Sequence, residues 1–262
     1  MVKYKVLRLM YRDFKTSIFF RPRNWLVQLS FPLSYLYISG LIYGNIIRNI
    51  TVGGKSIPYM LYLAAGLMVV QIYQGAGLAS WMIWVDRDTG ALQQIIIGAY
   101  TVSDYIVSKV LSTMTKSIIN ALAFLALSLP LLYAYLRVDT WSFALLVYSL
   151  CISSAFFTFL NVALISSAKE YETYRLISGV ILFPLMFLSS AFYPVDRAPP
   201  ALQMIMLANP LTHTADLTRL ALLKISSRHT PIFTVLLPVE TIIIALISVK
   251  TFMKIYRKEW MR

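Results

Sequence analysis

Few residues of this chain could do covalent chemistry, and none of them stands in a recognisable catalytic set. Gly53-Gly54-Lys55-Ser56 has the tail of a phosphate-binding loop, whose glycine amides cradle phosphates while its lysine and serine reach the terminal phosphates and Mg²⁺. Asn49 occupies the position of the leading glycine, so the segment reads as an ordinary turn and ATP is expected to bind elsewhere. Cys151 is the single cysteine, which excludes an intrachain disulfide and a cysteine-based metal cluster. His213 and His229 are the only histidines, too few for a histidine-rich metal site. An enzyme acting inside a membrane would want paired aspartates, a zinc motif or a Ser-His arrangement, and the apolar stretches contain none of these. One group remains, Glu240, in an otherwise charge-free run from Thr230 to Val249. An ionised carboxylate there is costly unless it is paired, hydrated or protonated, so Glu240 is a functional candidate in the manner of a proton-coupled carrier. A structural hydrogen bond, or a place nearer the outer interface created by a break at Pro238, would explain it equally.

These groups sit in a chain of 262 residues that is 58% hydrophobic and 13% charged, which leaves too little polar surface for a soluble domain of this size. Six charge-poor stretches fill most of it: 25–47, 56–85, 117–136, 140–168, 176–195 and 230–249. Each has about the twenty residues that cross a bilayer. The pattern predicts an all-α integral membrane protein, a single transmembrane domain over residues 1–262. Its six transmembrane helices are expected at about 25–47, 57–84, 112–135, 141–166, 176–193 and 231–252. The first stretch is longer than a secretory signal core and five more follow, so it reads as a retained span.

The net charge of +13 is concentrated at the ends. Lys3, Lys5, Arg8, Arg12, Lys15, Arg21 and Arg23 precede the first span, and Lys250, Lys254, Arg257, Lys258 and Arg262 close the chain. Connections on the other side carry Arg48, Lys55 and Arg137. Six spans put both termini on one side, and the positive-inside rule makes that side the cytoplasm. The expectation is a multi-pass protein of the plasma membrane whose basic ends meet lipid headgroups, not nucleic acid. In residues 1–24, Val6, Leu7, Leu9, Met10, Tyr11, Phe14, Ile18, Phe19 and Phe20 give one apolar face if helical. That predicts an amphipathic interfacial helix, separated from the first span at Pro22.

Between spans two and three, Asp88 or Thr89 suits the N-cap of a short surface helix, and Thr101-Val102-Ser103-Asp104 has capping-box spacing. Spans four and five are joined by Lys169 to Arg175 alone. The connection after span five is divided by prolines. Leu202, Ile205, Met206, Leu217, Leu220 and Leu223 give apolar faces to one or two short helices expected to dip into the outer leaflet. Asp216 and Arg219, three apart, read as an exposed pair worth a few tenths of a kcal/mol. Gln28, Ser34, Gln71, Gln74, Asn120 and Asn161 lie within spans, where they could line a route or, more commonly, bond helix to helix. Gly75 and Gly77 would let helices approach closely.

The run Phe183-Pro184-Leu185-Met186-Phe187-Leu188-Ser189-Ser190-Ala191-Phe192-Tyr193-Pro194, with Pro199-Pro200 and Asn209-Pro210-Leu211-Thr212, resembles the membrane subunits of type-2 ATP-binding-cassette exporters. Those permeases carry Pro-x-x-Phe-x-Ser-Gly-x-x-Tyr-Pro in the fifth span, Asn-Pro-Leu-Thr before the sixth and an Arg-x-x-Gly-Thr-Leu-Glu sequence between spans two and three. Here the last is Arg87-Asp88-Thr89-Gly90-Ala91-Leu92-Gln93, with Ala91 and Gln93 for Thr and Glu, and Ser190 replaces the usual glycine. The resemblance covers essentially the whole chain. It implies a permease that moves an amphipathic substrate: a drug-like molecule, a lipid or a lipid-linked glycan. No cofactor is expected in this chain; ATP and Mg²⁺ belong to a separate ABC ATPase subunit, and a second permease copy or paralogue completes the route. The resemblance further implies ATPase coupling through Arg87, Asp88, Gly90, Leu92 and Gln93 in a cytoplasmic coupling helix, helped by Glu170 and Glu172. It implies a translocation route at Gln71, Gln74, Asn161, Phe187 and Glu240, and an outside gate at Tyr193, Pro194, Asn209 and Pro210 beside short re-entrant helices. The competing expectation is a stand-alone secondary carrier using Glu240.

Overall fold

The computed structural model describes the backbone of residues 2–16, 22–98, 100–133, 135–136 and 139–260. Ile18, Phe19, Phe20, Arg21, Arg137 and Arg262 lie outside these residues. Helix α1 (Val2–Thr16) packs on α6 (Val102–Leu132) through Leu9 and Asp13, four apart on one face, while Tyr4, Leu7 and Tyr11 form an exposed apolar stripe. The expected single apolar face is thus divided, part turned to the protein and part away from it. Helix α2 (Pro22–Ile46) starts at Pro22, where a missing amide costs nothing because first-turn amides are unpaired anyway.

A β-hairpin follows, a departure from the all-α expectation. Strands β1 (Asn49–Val52) and β2 (Lys55–Pro58) pair antiparallel, with Val52 opposite Lys55. The two residues between them, Gly53 and Gly54, have φ of +56° and +78°, the left-handed backbone that a two-residue hairpin turn of this kind demands. A Cβ on Gly53 would lie 2.0 Å from the Ser226 carbonyl oxygen, and Lys55 Nζ donates to the Lys224 carbonyl at 2.8 Å. The fragment that resembles a phosphate loop is a hairpin tip clasped to residues 224–226.

Helix α3 (Tyr59–Ala76) is the centre of the bundle, buried along nearly its whole length between α2, α6, α7 (Thr140–Ser167) and α11 (Pro210–Leu223). At Gly77 it passes into α4 (Leu78–Asp88), then α5 (Ala91–Ile97). Helix α6 starts at Val102, well before the expected 112, because the capping box closes: Asp104 N–H donates to Thr101 Oγ1 and Thr101 N–H to Asp104 Oδ2, both at 3.0 Å. Asp139 caps α7 by accepting from Ser142 N–H at 2.8 Å, and the Lys224 ammonium at 2.8 Å holds its carboxyl well below the usual range. The fifth helical stretch runs from α8 (Tyr171–Ile177) through a π turn (Ser178–Leu182) to α9 (Phe183–Phe187), ending earlier than the expected 193. After a 3₁₀ turn (Val195–Arg197) come α10 (Pro200–Leu207), α11 and α12 (Thr230–Trp260), which continues through Pro238 without the expected break. Among the described residues four helices are long and apolar enough to cross a membrane: Tyr59–Asp88, Val102–Leu132, Thr140–Ser167 and Thr230–Lys254. The chain is a multi-pass membrane protein.

Helix α11, one of the short helices expected after span five, is packed inside the protein. It is buried on nearly every side, between α3, α7 and α12. Asp216 and Arg219 are therefore not an exposed pair. Arg219 is 1% exposed, its guanidinium 3.5 Å from the centre of the Tyr62 ring. Its Nη2 donates to the Ser190 and Ala191 carbonyls at 2.7 and 3.1 Å, and its Nη1 lies 3.3 Å from Asp216 Oδ1. Asp216 also accepts from Ser190 Oγ at 2.9 Å and Ser227 Oγ at 2.7 Å.

The turn after α9 lies so close to α3 that only glycine fits at residue 66: an added Cβ would stand 1.9 Å from the Ala191 carbonyl oxygen. Gly66→Ala should lower stability by about 1–3 kcal/mol, as overpacking does, seen as a lower Tm of the purified protein in detergent. Gly179→Ala, where nothing lies within 4 Å of the added Cβ, should leave Tm unchanged.

Candidate functional site: the α4–α5 junction and the clusters that brace it

Helix α4 runs on through Asp88, and its C-terminal amides bond back to Val85 and Arg87. The expected N-cap at Asp88 or Thr89 is thus the end of the previous helix. Gly90, at φ +71°, reverses the chain, and α5 starts without any side-chain cap. Gly90 is required because a side chain at this φ would be strained. Leu92 is only 4% exposed, packed among Ala79, Ile83, Tyr105 and Ile106. It anchors α5 and cannot be one of its outward contacts. Gln93, Gln94 and Ile97 form the exposed face, together with Asp88 and Thr89 just before it.

The segment 168–175 abuts this junction. Arg87 Nη1 donates to the Ala168 carbonyl at 3.5 Å, and the Tyr171 ring meets Trp81 edge-on at 5.2 Å and Trp84 at 5.9 Å. Glu170 is the N-cap residue of α8, without a side-chain cap bond, and Glu172 lies 3.6 Å from Arg175; both carboxylates are exposed. Two of the segments picked for coupling thus meet at Arg87, while Leu92 lies beneath the surface.

Beneath that surface is an ionic cluster. Asp13 of α1 and Asp86 of α4 both accept from Lys109 of α6, at 2.8 and 2.7 Å, and both accept from Arg12 Nη2, at 2.9 and 2.8 Å. Tyr105 O–H donates to Asp86 Oδ2 at 2.9 Å, Ser112 to Asp13 at 3.4 Å, and Lys116 Nζ reaches the Asp13 carbonyl at 3.3 Å. Asp13 and Lys109 are each 1% exposed. Charges this far from water are tolerable only when each has a partner and its remaining hydrogen-bonding positions are filled, and here two carboxylates meet two cations and a phenol. Sequence reading missed the cluster. Its signals were available: Asp13 is the only acidic residue before the first span, and Lys109 and Lys116 are seven apart on one helix face.

Other candidates are placed differently. Asn161 is fully engaged: its Oδ1 accepts from Tyr174 O–H at 2.6 Å, its Nδ2 donates to the Phe157 carbonyl at 2.8 Å and its carbonyl accepts from Ser80 at 3.0 Å. Asn120 donates to Gln28 at 2.7 Å. Both are hydrogen bonds between or along helices. Gln71 is buried with no partner for its Nε2, whereas Gln74 on the same helix is exposed, as is Phe187. Glu240 is not isolated. Its Oε2 lies 3.1 Å from His213 Nδ1, and His213 Nε2 lies 2.7 Å from the Leu207 carbonyl. Tyr193 O–H donates to the Phe187 carbonyl at 2.6 Å, and Asn209 Nδ2 donates to the Leu185 and Leu188 carbonyls, both at 2.7 Å. Pro194 precedes the 3₁₀ turn and Pro210 opens α11. Of the four residues read as a gate, Tyr193 and Asn209 are hydrogen-bonded to the end of α9.

Residues 4–223 match the family model described as ABC-2 type transporter. The chain is similar to Nodulation protein J of Neorhizobium galegae, 24% identical over 205 residues that cover 77% of this chain and 75% of that protein. Nodulation protein J of Rhizobium leguminosarum bv. viciae is 24% identical over 196 residues, 73% of this chain and 71% of that protein. The ycf38 transport permease of Pyropia yezoensis is 25% identical over 201 residues, 76% of this chain and 67% of that protein.

Removing one member of the buried cluster leaves one charge in excess among the rest. Asp13→Asn and Lys109→Met should each cost about 3–5 kcal/mol, read as a fall in Tm. Asp13→Asn combined with Lys109→Met should lose clearly less than the sum of the two; simple additivity would mean that the pair is not coupled.

Proposed function

This chain belongs to the ABC-2 type transporter family, and we propose that it is the permease subunit of an ATP-driven exporter that moves an amphipathic substrate out of the cell. The family is one of transport permeases and implies an ABC ATPase partner. The finer reading rests on one observation, the α4–α5 junction: a short helix turned outward at Gly90, anchored from behind by Leu92, next to an ionic cluster that ties α1, α4 and α6 together. An ATPase pair that closes on ATP can tilt helices only through an element that does not yield. Helix α5, with Gln93, Gln94 and Ile97 exposed, supports that role, and Glu170 and Glu172 extend the docking surface beside it. In this reading ATP and Mg²⁺ stay on the ATPase.

Counting α2 and the α8–α9 stretch as two further spans gives six, with both termini cytoplasmic in the plasma membrane and the hairpin outside. A second permease, the same chain or a paralogue, would complete the route along Gln74 and Phe187, both exposed on this protomer. A secondary carrier working through Glu240 is less well supported, because Glu240 is engaged by His213 and the carrier gives α5 no task.

The test is co-purification with the ABC ATPase subunit from the same cells, followed by ATPase assay of the reconstituted complex. Ile97→Asp, at a residue 73% exposed, should weaken assembly or coupling about tenfold, as loss of an interface anchor does, without changing Tm. Tyr133→Asp, equally exposed at the other end of α6, should not. Transport that proceeds with no ATPase bound would overturn the reading.

A further inference from the structure

Between α2 and the chain that follows α9 lies a cavity of about 630 Å³, on the side of the hairpin. Its lining is chemically mixed. Asn49 and Arg197 supply polar groups to its lining, both exposed, and Arg197 is in no ion pair among the described residues. Aromatic rings form much of the rest: Tyr35 meets Phe192 edge-on at 5.4 Å, and Phe187 stacks on Phe192 at 5.2 Å. Tyr35 lies three turns back along α2 from its last residue, roughly 16 Å at the helical rise per residue. The cavity therefore extends from the hairpin level to rings well down the helix.

Such a lining selects ligands. A single guanidinium beside an amide binds a phosphate or carboxylate strongly and gives a cation nothing. Aromatic walls accept an acyl chain or another apolar body. The volume is in the range of small-molecule sites. It suits a headgroup and the adjoining part of one chain, not a whole bilayer lipid.

We propose that this cavity binds an anionic amphiphile, with its phosphate or carboxylate on Arg197 and Asn49 and its apolar part against Tyr35, Phe187 and Phe192. The proposal rests on the permease reading only for placing this end at the outer face of the membrane. There the amphiphile is either a lipid of the outer leaflet or cargo on its way out. Because Phe187 belongs to α9, an occupant touches the fifth helical stretch where it ends.

The experiment is native mass spectrometry of the full-length protein released from nanodiscs of phosphatidylcholine containing phosphatidylglycerol. The expected result is one phosphatidylglycerol retained per chain in preference to phosphatidylcholine. Arg197→Gln should reduce that retention about tenfold, the loss of a charge-assisted bidentate contact. Ile47→Trp, at an exposed residue lining the cavity, should narrow it and reduce retention at unchanged Tm. Repeating the measurement on the ATPase complex during ATP turnover separates the two sources: a bound lipid stays, whereas an amphiphile treated as cargo is released. Equal retention of both lipids, no retention, or retention unaffected by the two variants would overturn the proposal. Failure of the permease reading would appear separately, as loss of ATPase co-purification in the wild type.

Discussion

Helix α9 ends at a turn packed against α3 and α11, and that termination is the constraint on which the hairpin end of the structure depends. A helix leaves its last four carbonyls without amide partners, and away from water each must find another donor. Here every one does. Leu185 and Leu188 are served by Asn209 Nδ2, Met186 by Ser189 Oγ and Phe187 by Tyr193 O–H. Beyond them the Ser190 carbonyl accepts from Tyr62 O–H and Arg219, and the Ala191 carbonyl from Arg219. The Ser190 amide donates to Thr212 Oγ1. A break in the helix is thus made affordable by donors drawn from α3 and α11 and from the turn itself.

The same list explains why the two proline-containing motifs occur together. Asn209 caps α11 with its Oδ1, which accepts from Leu211 N–H, while its Nδ2 satisfies α9. One side chain therefore ends one helix and begins another, and Pro210 can follow it because the first helical amide needs no partner. Arg219 sits on α11 at the height of the Ser190 and Ala191 carbonyls, and its five donors in a fixed fork can serve several acceptors at once, which a lysine could not do in the same geometry. Its charge is balanced by Asp216, itself held by Ser190 and Ser227. At the opposite end the Asp13–Asp86–Lys109–Arg12 cluster has the analogous task for side chains, fixing α1 and α4 to α6 next to the α4–α5 junction. Each end of the bundle is tied by a buried polar network, and the apolar helices between them need only length and packing.

What could be read in the sequence follows from how local each interaction is. The Thr101–Asp104 capping box and the two-glycine turn are settled within four residues, and the first was read as such. The hairpin was read only as a turn, because strands as short as Asn49–Val52 leave no period to detect. The helix start at Asp88 was misplaced since a continuous helical pattern hides a reversal that one left-handed glycine makes. Leu92 was legible as part of a motif but not as buried, because its neighbours Ala79 and Tyr105 come from other helices. Longer separations were invisible. Asp13 meets Lys109 across 96 residues and Arg219 meets the Tyr62 carbonyl across 157, so Arg219 and Asp216, three apart, looked like a surface pair.

Glu240 shows how such a partner changes a functional reading. The Leu207 carbonyl can only accept, so His213 Nε2 must carry a hydrogen and donate to it. If His213 is neutral, its Nδ1 is then the bare acceptor, and the contact with Glu240 Oε2 requires a protonated carboxyl. If His213 is charged, Glu240 can be ionised. Either way one proton lies between the two groups, and no isolated carboxylate is exposed to an apolar environment. His213 is itself immobilised, fully buried and stacked on Phe233 of α12 at 4.3 Å between ring centres. A carrier's proton site must face each side of the membrane in turn, whereas this pair is fixed by a carbonyl on one flank and a ring on the other. The contact joins α12 to α11, and through Asn209 and Arg219 to the end of α9, so that the last helix is tied to the braced turn.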